Sequence, residues 1–236
     1  MEQRTGYLLL IMSIIFLESC SKDNNSGHPD DPIEWSTDFN EGKDGWQAGF
    51  SEYHADHVAS YELEEGLAML PAPLDEQRQA YRISGMNRSD DLFMYLTRKI
   101  TDLQPLTTYK SHITVAVASN ARSGGVGAGG APGEAVGLGI GLTAVEPVSS
   151  PHDDQFHRMN IDKIQQCCTD GEDMVVIGDV ANGLEEYVFT HIERSGEFTA
   201  RSNDKGEMWV IIGTDSGFEG KTELYYTQID VILEKQ

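Results

Sequence analysis

Basic residues, cysteines and long apolar runs are scarce in this chain of 236 residues, and each scarcity excludes a class of protein. Only 17 Lys and Arg stand against 39 Asp and Glu, which gives a formal net charge of −22. A sequence-independent grip on DNA or RNA needs a positive surface, so we exclude nucleic acid as a partner, and with it electrostatic docking on anionic lipid. No apolar run reaches the roughly 20 residues that a membrane-spanning helix needs.

The three cysteines show no metal-binding spacing. Cys20 stands alone and Cys167 is adjacent to Cys168, with no CxxC pair or Cys/His pattern, so no zinc site is predicted. Neighbouring cysteines can join only through a strained ring, far from ordinary disulfide geometry. We therefore expect two thiols; the alternative is a disulfide between neighbours, acting as a hard ligand platform or a redox element.

The first twenty residues predict an export signal. Arg4 precedes an apolar run over residues 7–17, which is too short to span a bilayer. Leu17-Glu18-Ser19-Cys20 then resembles the lipobox of bacterial lipoproteins. The resemblance implies a signal peptide over residues 1–19 and a lipid on Cys20 that anchors the chain without spanning the membrane. The alternatives are an ordinary secretory signal cut nearby and an uncleaved anchor.

Residues 20–32 are interpreted as a tether that follows the lipidated cysteine. The stretch from Ser21 to Pro32 contains no Val, Ile, Leu or aromatic residue, so it cannot bury a core face and is predicted to be flexible. Its composition is similar to the tethers of Bacteroidetes-type outer-membrane lipoproteins. That similarity implies a location at the outer membrane or the cell surface, with one domain over residues 33–236.

The body of the chain has the composition of strands and little helical periodicity. Alternating or β-branched segments predict strands at residues 92–97, 109–117, 187–192, 208–212 and 224–233. Turn signals at Ser195-Gly196 and at residues 204–206 predict a meander of hairpins over residues 187–212. Many short strands at this spacing indicate a single all-β sandwich of jelly-roll type.

Three motifs connect this body to a known family. They are Thr37-Asp38-Phe39-Asn40 followed by Gly45-Trp46, the corner from Asp102 to Tyr109, and Leu224-Tyr225-Tyr226 with Ile229. In this order they resemble the jelly-roll carbohydrate-binding modules with a galactose-binding-like fold, over residues 37–233. The resemblance implies a jelly-roll sandwich whose ligand is a glycan.

The same resemblance implies a structural calcium ion. Asp38, Asn40 and Asp230 are the candidate metal ligands. Those modules often place aspartates just after the paired aromatics, whereas this chain has Thr227 and Gln228 there. Acidic pairs elsewhere, such as Asp90-Asp91, also offer the oxygen ligands that calcium prefers, although none matches an EF-hand.

A glycine-rich stretch holds nine glycines between Gly124 and Gly141. Gly125, Gly127 and Gly130 satisfy G-x-G-x-x-G, but Pro132 opposes the helix that a dinucleotide site requires, so no nucleotide is predicted. We interpret the whole stretch as a long flexible loop, and such loops at the ends of sandwiches often bind ligands. Glu134, its only charge, is therefore a candidate ligand-binding residue.

The remaining candidate ligand-binding residues are Tyr53, Asp162, Asp215 and Glu219. Tyr53 lies among polar residues and is the aromatic side chain best suited to stack on a sugar. A turn is predicted to gather Asp215 and Glu219. Asp162 joins them among the carboxylates available to an open cleft.

The leading hypothesis is a non-catalytic surface lipoprotein that binds a ligand, most naturally a glycan, through its loops or one face of the sandwich. A second is a glycoside hydrolase or polysaccharide lyase on a concanavalin-like sandwich, with Glu134, Asp162, Asp215 or Glu219 as catalytic carboxylates. A third is a structural or adhesion subunit that binds protein through a loop face.

Overall fold

In a computed structural model that describes residues 31–236, the chain is folded almost entirely into β-strands. The strands are β1 Ile33–Asp38, β2 Gln47–Ser51, β3 Glu64–Met69, β4 Gln79–Met86, β5 Leu92–Ile100, β6 Thr108–Ser119, β7 Val136–Thr143, β8 Ser149–Pro151, β9 His157–Met159, β10 Met174–Asp179, β11 Thr190–Arg201, β12 Met208–Ser216 and β13 Lys221–Lys235. Within these residues the one helical element is a 3-10 helix at Ala55–Tyr61, and no helix is long and apolar enough to cross a membrane. The predicted signal peptide and most of the predicted tether lie outside the described residues.

Two antiparallel sheets stack face to face. The six-stranded sheet has the order β11-β6-β13-β4-β3, and β1 pairs with β13 beside β4. The five-stranded sheet has the order β10-β7-β12-β5-β2, and β8 and β9 form a separate pair. The predicted all-β sandwich of jelly-roll type is therefore confirmed.

Apolar side chains at alternate positions of both sheets form the core between them. On β6, Ile113, Val115 and Val117 are fully buried, as the alternation over residues 109–117 predicts. Trp46, in the first family-like motif, is 1% exposed, and the Tyr109 hydroxyl of the second accepts a hydrogen bond of 2.9 Å from the Gln104 amide. These motif residues are thus structural.

The predicted hairpin meander over residues 187–212 is wrong. Ser195 and Gly196 are not a turn but lie in the middle of β11, where Gly196 pairs with Ile113 of β6. The glycine is there because a Cβ at this position would overlap the side chain of Ile177 from the opposite sheet. In addition, β11 and β12 belong to different sheets, so they cannot form a hairpin.

The glycine-rich loop is also shorter than predicted, because its last part is strand β7. Val136, Leu138, Ile140 and Leu142 are fully or almost fully buried in the core and alternate with glycines. Glycine is depleted in strands, which favoured the loop interpretation. The period of two in the apolar residues is the signal that identifies the strand.

Candidate functional site

The outer face of the five-stranded sheet is covered by the chain between β7 and β10. We call residues 144–173, which include β8 and β9, the cover segment. Its residues Ile161 and Ile164, with Met159 beside them, pack on outward-facing side chains of the sheet in a second apolar cluster. The sheet's contributions to this cluster are Phe93, Tyr95, Met174, Val176 and Ile211.

Glycines in β7 allow the cover segment to approach this closely. A Cβ at Gly137 would lie closer than 3.0 Å to the Gln166 carbonyl oxygen, and one at Gly141 would do the same to the Asp173 carbonyl oxygen. Because these neighbours are backbone atoms, they cannot turn aside as a side chain can. The glycines of β7 thus mark a face where a second backbone lies directly on the strand.

An open groove lies where the cover segment meets the end of β2 and the turn between β4 and β5. Its volume is about 640 Å³. Its lining is mostly polar and consists of Glu52, Ser89, Asp90, Asp91, Arg158, Met159, Ile161, Asp162, Lys163, Gln165, Gln166 and Thr169. The lining therefore combines carboxylate, amide and hydroxyl groups, with Met159 and Ile161 as the apolar part of the wall.

The buried side chain of Asn87 holds the β4–β5 turn at the rim of the groove. Its Nδ2 donates to the carbonyl oxygens of Ser216 at 2.6 Å and Phe218 at 3.1 Å. Its Oδ1 accepts from the backbone amides of Ser89 and Leu92. Asn87 thereby ties this turn to the end of β12 and gives the rim a defined position.

The floor of the groove contains a buried ion pair. The Lys163 ammonium is hydrogen-bonded to Asp215 Oδ2, and Asp215 is completely buried at the end of β12. Asp91 Oδ1 lies 3.7 Å from the same Lys163 nitrogen. Lys163 also donates to the Ile164 carbonyl oxygen at 3.3 Å, so carbonyl and carboxylate oxygens surround this cation.

Burial is the main cause of the raised pKa values of two carboxyl groups at the groove, Asp215 and Glu52. Desolvation raises the pKa of Asp215 to about 8, the positive charge of Lys163 opposes the rise, and the nearby Asp91 adds to it. Desolvation likewise raises the pKa of Glu52, with Lys163 again acting in the opposite direction. Both groups therefore hold their protons more tightly than exposed carboxyl groups do.

Both cations in the lining have carboxylate partners. Arg158 forms two hydrogen bonds to Asp154, of 2.6 and 2.7 Å, which keep the pKa of Asp154 well below its usual range. Lys163 is paired with Asp215. Glu52, Asp90, Asp91 and Asp162 also face the groove, so its acidic groups outnumber its basic ones.

A short hairpin over residues 165–169 forms one wall of the groove. Gln165 and Thr169 exchange backbone hydrogen bonds of 2.9 and 3.3 Å, and Cys167 and Cys168 at the tip are joined by a disulfide. The expectation of two thiols is therefore wrong. The strain of a ring between neighbouring residues favours thiols, whereas here a closed hairpin holds the two cysteines together at its tip.

The structure brings only some of the predicted ligand-binding residues to the groove. Asp162 lies in the lining, where its Oδ2 accepts from the Glu172 amide at 2.8 Å. Asp215 lies beneath Lys163 and is not exposed. The half-buried Tyr53 ring lies just behind Glu52 and stacks on His157, with ring centroids 4.4 Å apart.

Glu134 and Glu219 belong to another part of the same end of the sandwich. Glu134 Oε1 accepts from the Gly124 amide at 2.8 Å, within the glycine-rich loop. The Glu219 amide donates to the Ala128 carbonyl oxygen at 2.9 Å, which places the β12–β13 turn against that loop. Neither residue lines the groove, so the predicted pairing of Asp215 and Glu219 in one open site does not occur.

The three predicted calcium ligands already have protein partners. Asp38 Oδ1 accepts from Arg78 at 2.9 Å, and Asn40 Oδ1 accepts from the Gln79 amide at 3.1 Å. Asp230 accepts from the Gln228 side chain. Within residues 31–236, no group of three or more His, Cys, Asp or Glu side chains is arranged to hold a metal ion. Calcium at Asp38 stays a prediction.

Lys163 and the glutamines of the hairpin were not predicted as site residues. Asp90-Asp91 is visible in the sequence as an acidic pair, but nothing there connects it with a lysine more than seventy positions later. Ile161 and Ile164, on either side of Asp162 and Lys163, indicate a segment with one buried side. They do not indicate what lies beneath that side.

One aromatic side chain in the described part of the chain is clearly exposed. Tyr187, in the loop between β10 and β11, is 62% exposed, and the Arg122 guanidinium lies 5.7 Å from its ring centre. This loop lies next to β11 and β10, at the edge of the sandwich opposite β2 and β3. Tyr187 is therefore a second surface on which a sugar ring could stack, apart from the groove.

The chain matches no protein-family model and no curated protein sequence. Among solved structures it is similar to the CBM22-1 xylan-binding domain from Paenibacillus barcinonensis, at 11% identity and a TM-score of 0.42, covering 88% of this chain and 97% of that one. It is also similar to TmCBM61, solved with β-1,4-galactotriose, at 12% identity and a TM-score of 0.35, covering 84% and 94%. A third is the K1 cleaved adhesin domain of Lys-gingipain from Porphyromonas gingivalis, at 8% identity and a TM-score of 0.35, covering 86% and 99%.

Proposed function

We propose that this protein is a non-catalytic glycan-binding lipoprotein of the bacterial outer membrane or cell surface. Its glycan lies in the groove between the cover segment and the β4–β5 turn. The lipid on Cys20 holds the domain at the membrane, and residues 20–32 give it reach.

The lining of the groove is the observation that carries the proposal. Sugars present rows of hydroxyl groups that both donate and accept hydrogen bonds. The carboxylates of Asp90 and Asp91 accept, whereas the side-chain amides of Gln165 and Gln166 can do both. Met159 supplies an apolar surface for the C–H groups of a sugar ring. This combination suits a hydroxyl-rich ligand better than an apolar one.

The charges of the groove favour a neutral glycan. Arg158 and Lys163 are the basic residues of the lining, and each is already paired with a carboxylate. An anionic sugar would have to displace those carboxylates while facing Asp90, Asp91 and Glu52. The net charge of −22 also repels an anionic sugar at long range, in addition to this local repulsion by the groove. Uronate-rich and sulfated polysaccharides should therefore bind more weakly than neutral ones.

The proposal is tested by affinity electrophoresis of the purified protein in gels that contain neutral or acidic polysaccharides. We expect retardation by at least one neutral polysaccharide, and weaker retardation by acidic ones at low salt. The Gln165→Ala/Asp91→Asn variant should lose the retardation, because both changed side chains line the groove. Free migration of the wild type in every gel would overturn the proposal.

One observation favours an enzyme as the second candidate. Asp91 and Asp215 both lie at the Lys163 ammonium, and the pKa of Asp215 is strongly raised. Shifted carboxyl groups in a cleft are candidates for acid–base catalysis, as a glycoside hydrolase or a lyase would need. Asp215, however, has no exposed surface. Turnover of any polysaccharide by the wild type and not by Asp91→Asn would favour the enzyme over the binding protein.

The proposed anchor is tested independently of the ligand. In a bacterial host, the wild type should fractionate with membranes and carry a lipid on Cys20, detected by mass spectrometry. A Cys20→Ser variant should lose both the lipid and the membrane association. A wild type recovered without lipid would remove the anchor from the proposal and leave the groove unaffected.

A further inference from the structure

The disulfide between Cys167 and Cys168 has no place yet in the proposed function. It lies at the tip of the hairpin formed by residues 165–169, and Cys168 is exposed while Cys167 is half-buried. Three of the five hairpin residues, Gln165, Gln166 and Thr169, line the groove. The disulfide therefore lies at the tip of a hairpin whose neighbouring residues the proposed glycan would contact, although neither cysteine itself lines the groove.

The hairpin touches the rest of the site at two points. Gln166 Nε2 donates to the Asp90 carbonyl oxygen at 3.0 Å and thus links the hairpin to the β4–β5 turn on the opposite rim. The Gln166 carbonyl oxygen lies against Gly137 of β7, where any Cβ would overlap it. The position of Gln166 therefore sets both the width of the groove and the seating of the hairpin on the sheet.

The backbone conformation of Gln166 is unfavourable for a residue other than glycine. Gln166 has a φ of 47°, in the left-handed region that favours glycine. Gln165 and Thr169 contribute only two backbone hydrogen bonds, and Gln165, Gln166, Cys168 and Thr169 are exposed. Such a hairpin loses considerable conformational entropy when it is ordered and gains little from burial. A covalent link at its tip removes competing conformations before any ligand binds.

We propose that the Cys167–Cys168 disulfide is a positioning element of the glycan site. It keeps Gln165, Gln166 and Thr169 in the geometry that binds the sugar, so affinity depends on the oxidised pair. This inference rests on the proposed function for its ligand, but its structural part concerns the hairpin alone.

The experiment compares the wild-type protein, oxidised or treated with dithiothreitol, with a Cys167→Ser/Cys168→Ser variant. Dithiothreitol transfers two electrons and two protons to the disulfide, which yields two thiols and the cyclic disulfide of the reagent. We expect reduction or substitution to weaken binding of the retarding polysaccharide about tenfold, the scale of one lost hydrogen bond. Reduction should not change the affinity of the variant, and reoxidation should restore that of the wild type.

Hydrogen exchange on the same samples separates the two proposals. The backbone amides of Gln165 and Thr169, which close the hairpin, should exchange about tenfold faster after reduction, with the core strands unchanged. Equal exchange in the oxidised and reduced protein would overturn the inference, whether or not a glycan binds. Equal affinity in both states would overturn it as well and leave the proposed function standing. Failure of the oxidised wild type to bind any polysaccharide would overturn the proposed function and the ligand part of this inference, whereas the exchange rates would still decide whether the disulfide orders the hairpin.

Discussion

The outer faces of the two sheets differ in how much of the chain covers them. On the six-stranded sheet, side chains such as Lys110 and Glu197 form ion pairs in solvent, with a separation of 2.8 Å, and the outward residues of β11 are exposed. On the five-stranded sheet, Phe93 and Ile211 are fully buried beneath the cover segment. Both faces belong to antiparallel sheets, but the cover on the six-stranded sheet is limited to a small cluster around Tyr225, on which Leu70, Leu74 and Phe189 pack.

This difference explains where the groove lies. The solvated part of the six-stranded sheet, with its long charged side chains, offers only a smaller groove of about 220 Å³ beside Lys110 and Glu197. A covered face creates a boundary at the place where the cover ends, and there backbone turns, buried charges and exposed polar side chains meet. Lys163 illustrates the point, because it leaves the cover segment and ends on Asp215 of the sheet beneath.

The largest expected effect comes from breaking the ion pair beneath the cover. At pH 9, above the raised pKa of Asp215, Lys163→Met leaves the Asp215 carboxylate buried without its cation and should lower the free energy of unfolding by about 3 kcal/mol or more. Lys110→Met breaks a pair on the solvated face and should lower the free energy of unfolding far less, because solvent screens that pair. Urea unfolding of both variants measures the difference. Equal losses would mean that the two faces do not differ in the way described.

Shortening a buried side chain beneath the cover segment should lower the free energy of unfolding nearly as much as Lys163→Met does. Ile211→Ala removes fully buried atoms between the sheet and the cover segment and should destabilise the protein by about 2–4 kcal/mol. Ile232→Ala is the matched change on the other outer face, where Ile232 is half-buried, and should cost about 1 kcal/mol. Thermal unfolding of the two variants measures both losses of stability. A smaller loss for Ile211→Ala than for Ile232→Ala would contradict the close packing of the cover segment.

Adding a methyl group tests the contact between β7 and the cover from the other side. Gly141→Ala should destabilise by about 1–3 kcal/mol, because the Asp173 carbonyl oxygen occupies the space of the new Cβ. Ser195→Ala, at an exposed position of β11, should change stability by less than about 0.5 kcal/mol. Denaturant midpoints measure both. A neutral Gly141→Ala would show that the cover does not rest on the strand.

The buried carboxyl group makes the stability depend on pH. The pKa of Asp215 is raised to about 8 in the folded protein from an ordinary value of 3.8, so the folded state binds its proton more tightly than the unfolded state. This stabilisation is complete below pH 3.8 and is lost as the pH rises towards about 8. Relative to Asp215→Asn, the wild type should therefore lose stability between pH 5 and 8, as measured by melting temperatures at constant ionic strength. A parallel pH dependence of the two proteins would contradict the raised pKa.

Much of the fold could be predicted from the sequence, because alternation and turn residues are local signals. The strand over residues 109–117 and the buried Trp46 are examples that the structure confirms. The failures at Gly196 and in β7 share one cause. In the sequence, glycine indicates a turn or a loop. Here Gly196 makes room for Ile177 and the glycines of β7 make room for the cover segment, and neither neighbour is adjacent in the sequence.

The candidate site was less accessible to prediction than the fold. Asp162 and Asp215 were chosen for their acidity, and the structure places one in the lining of the groove and the other beneath its floor. Lys163, which links Asp215 to Asp91, has no local signal, since its importance comes from a residue of β12 that lies 52 positions further along the chain. The disulfide was missed because hairpin closure by Gln165 and Thr169 cannot be seen in the spacing of two cysteines.

The most direct test of the central claim is isothermal titration of a neutral oligosaccharide, taken from the polysaccharide that retards the protein most, into groove and control variants. Gln165→Ala/Asp91→Asn should weaken binding at least about tenfold, the scale of one or two lost hydrogen bonds. His112→Ala/Glu197→Gln on the solvated face and Tyr187→Ala at the distant loop should bind as the wild type does. Wild-type affinity in the groove variant, with loss in the Tyr187→Ala variant or on the solvated face, would place the glycan elsewhere and contradict the account.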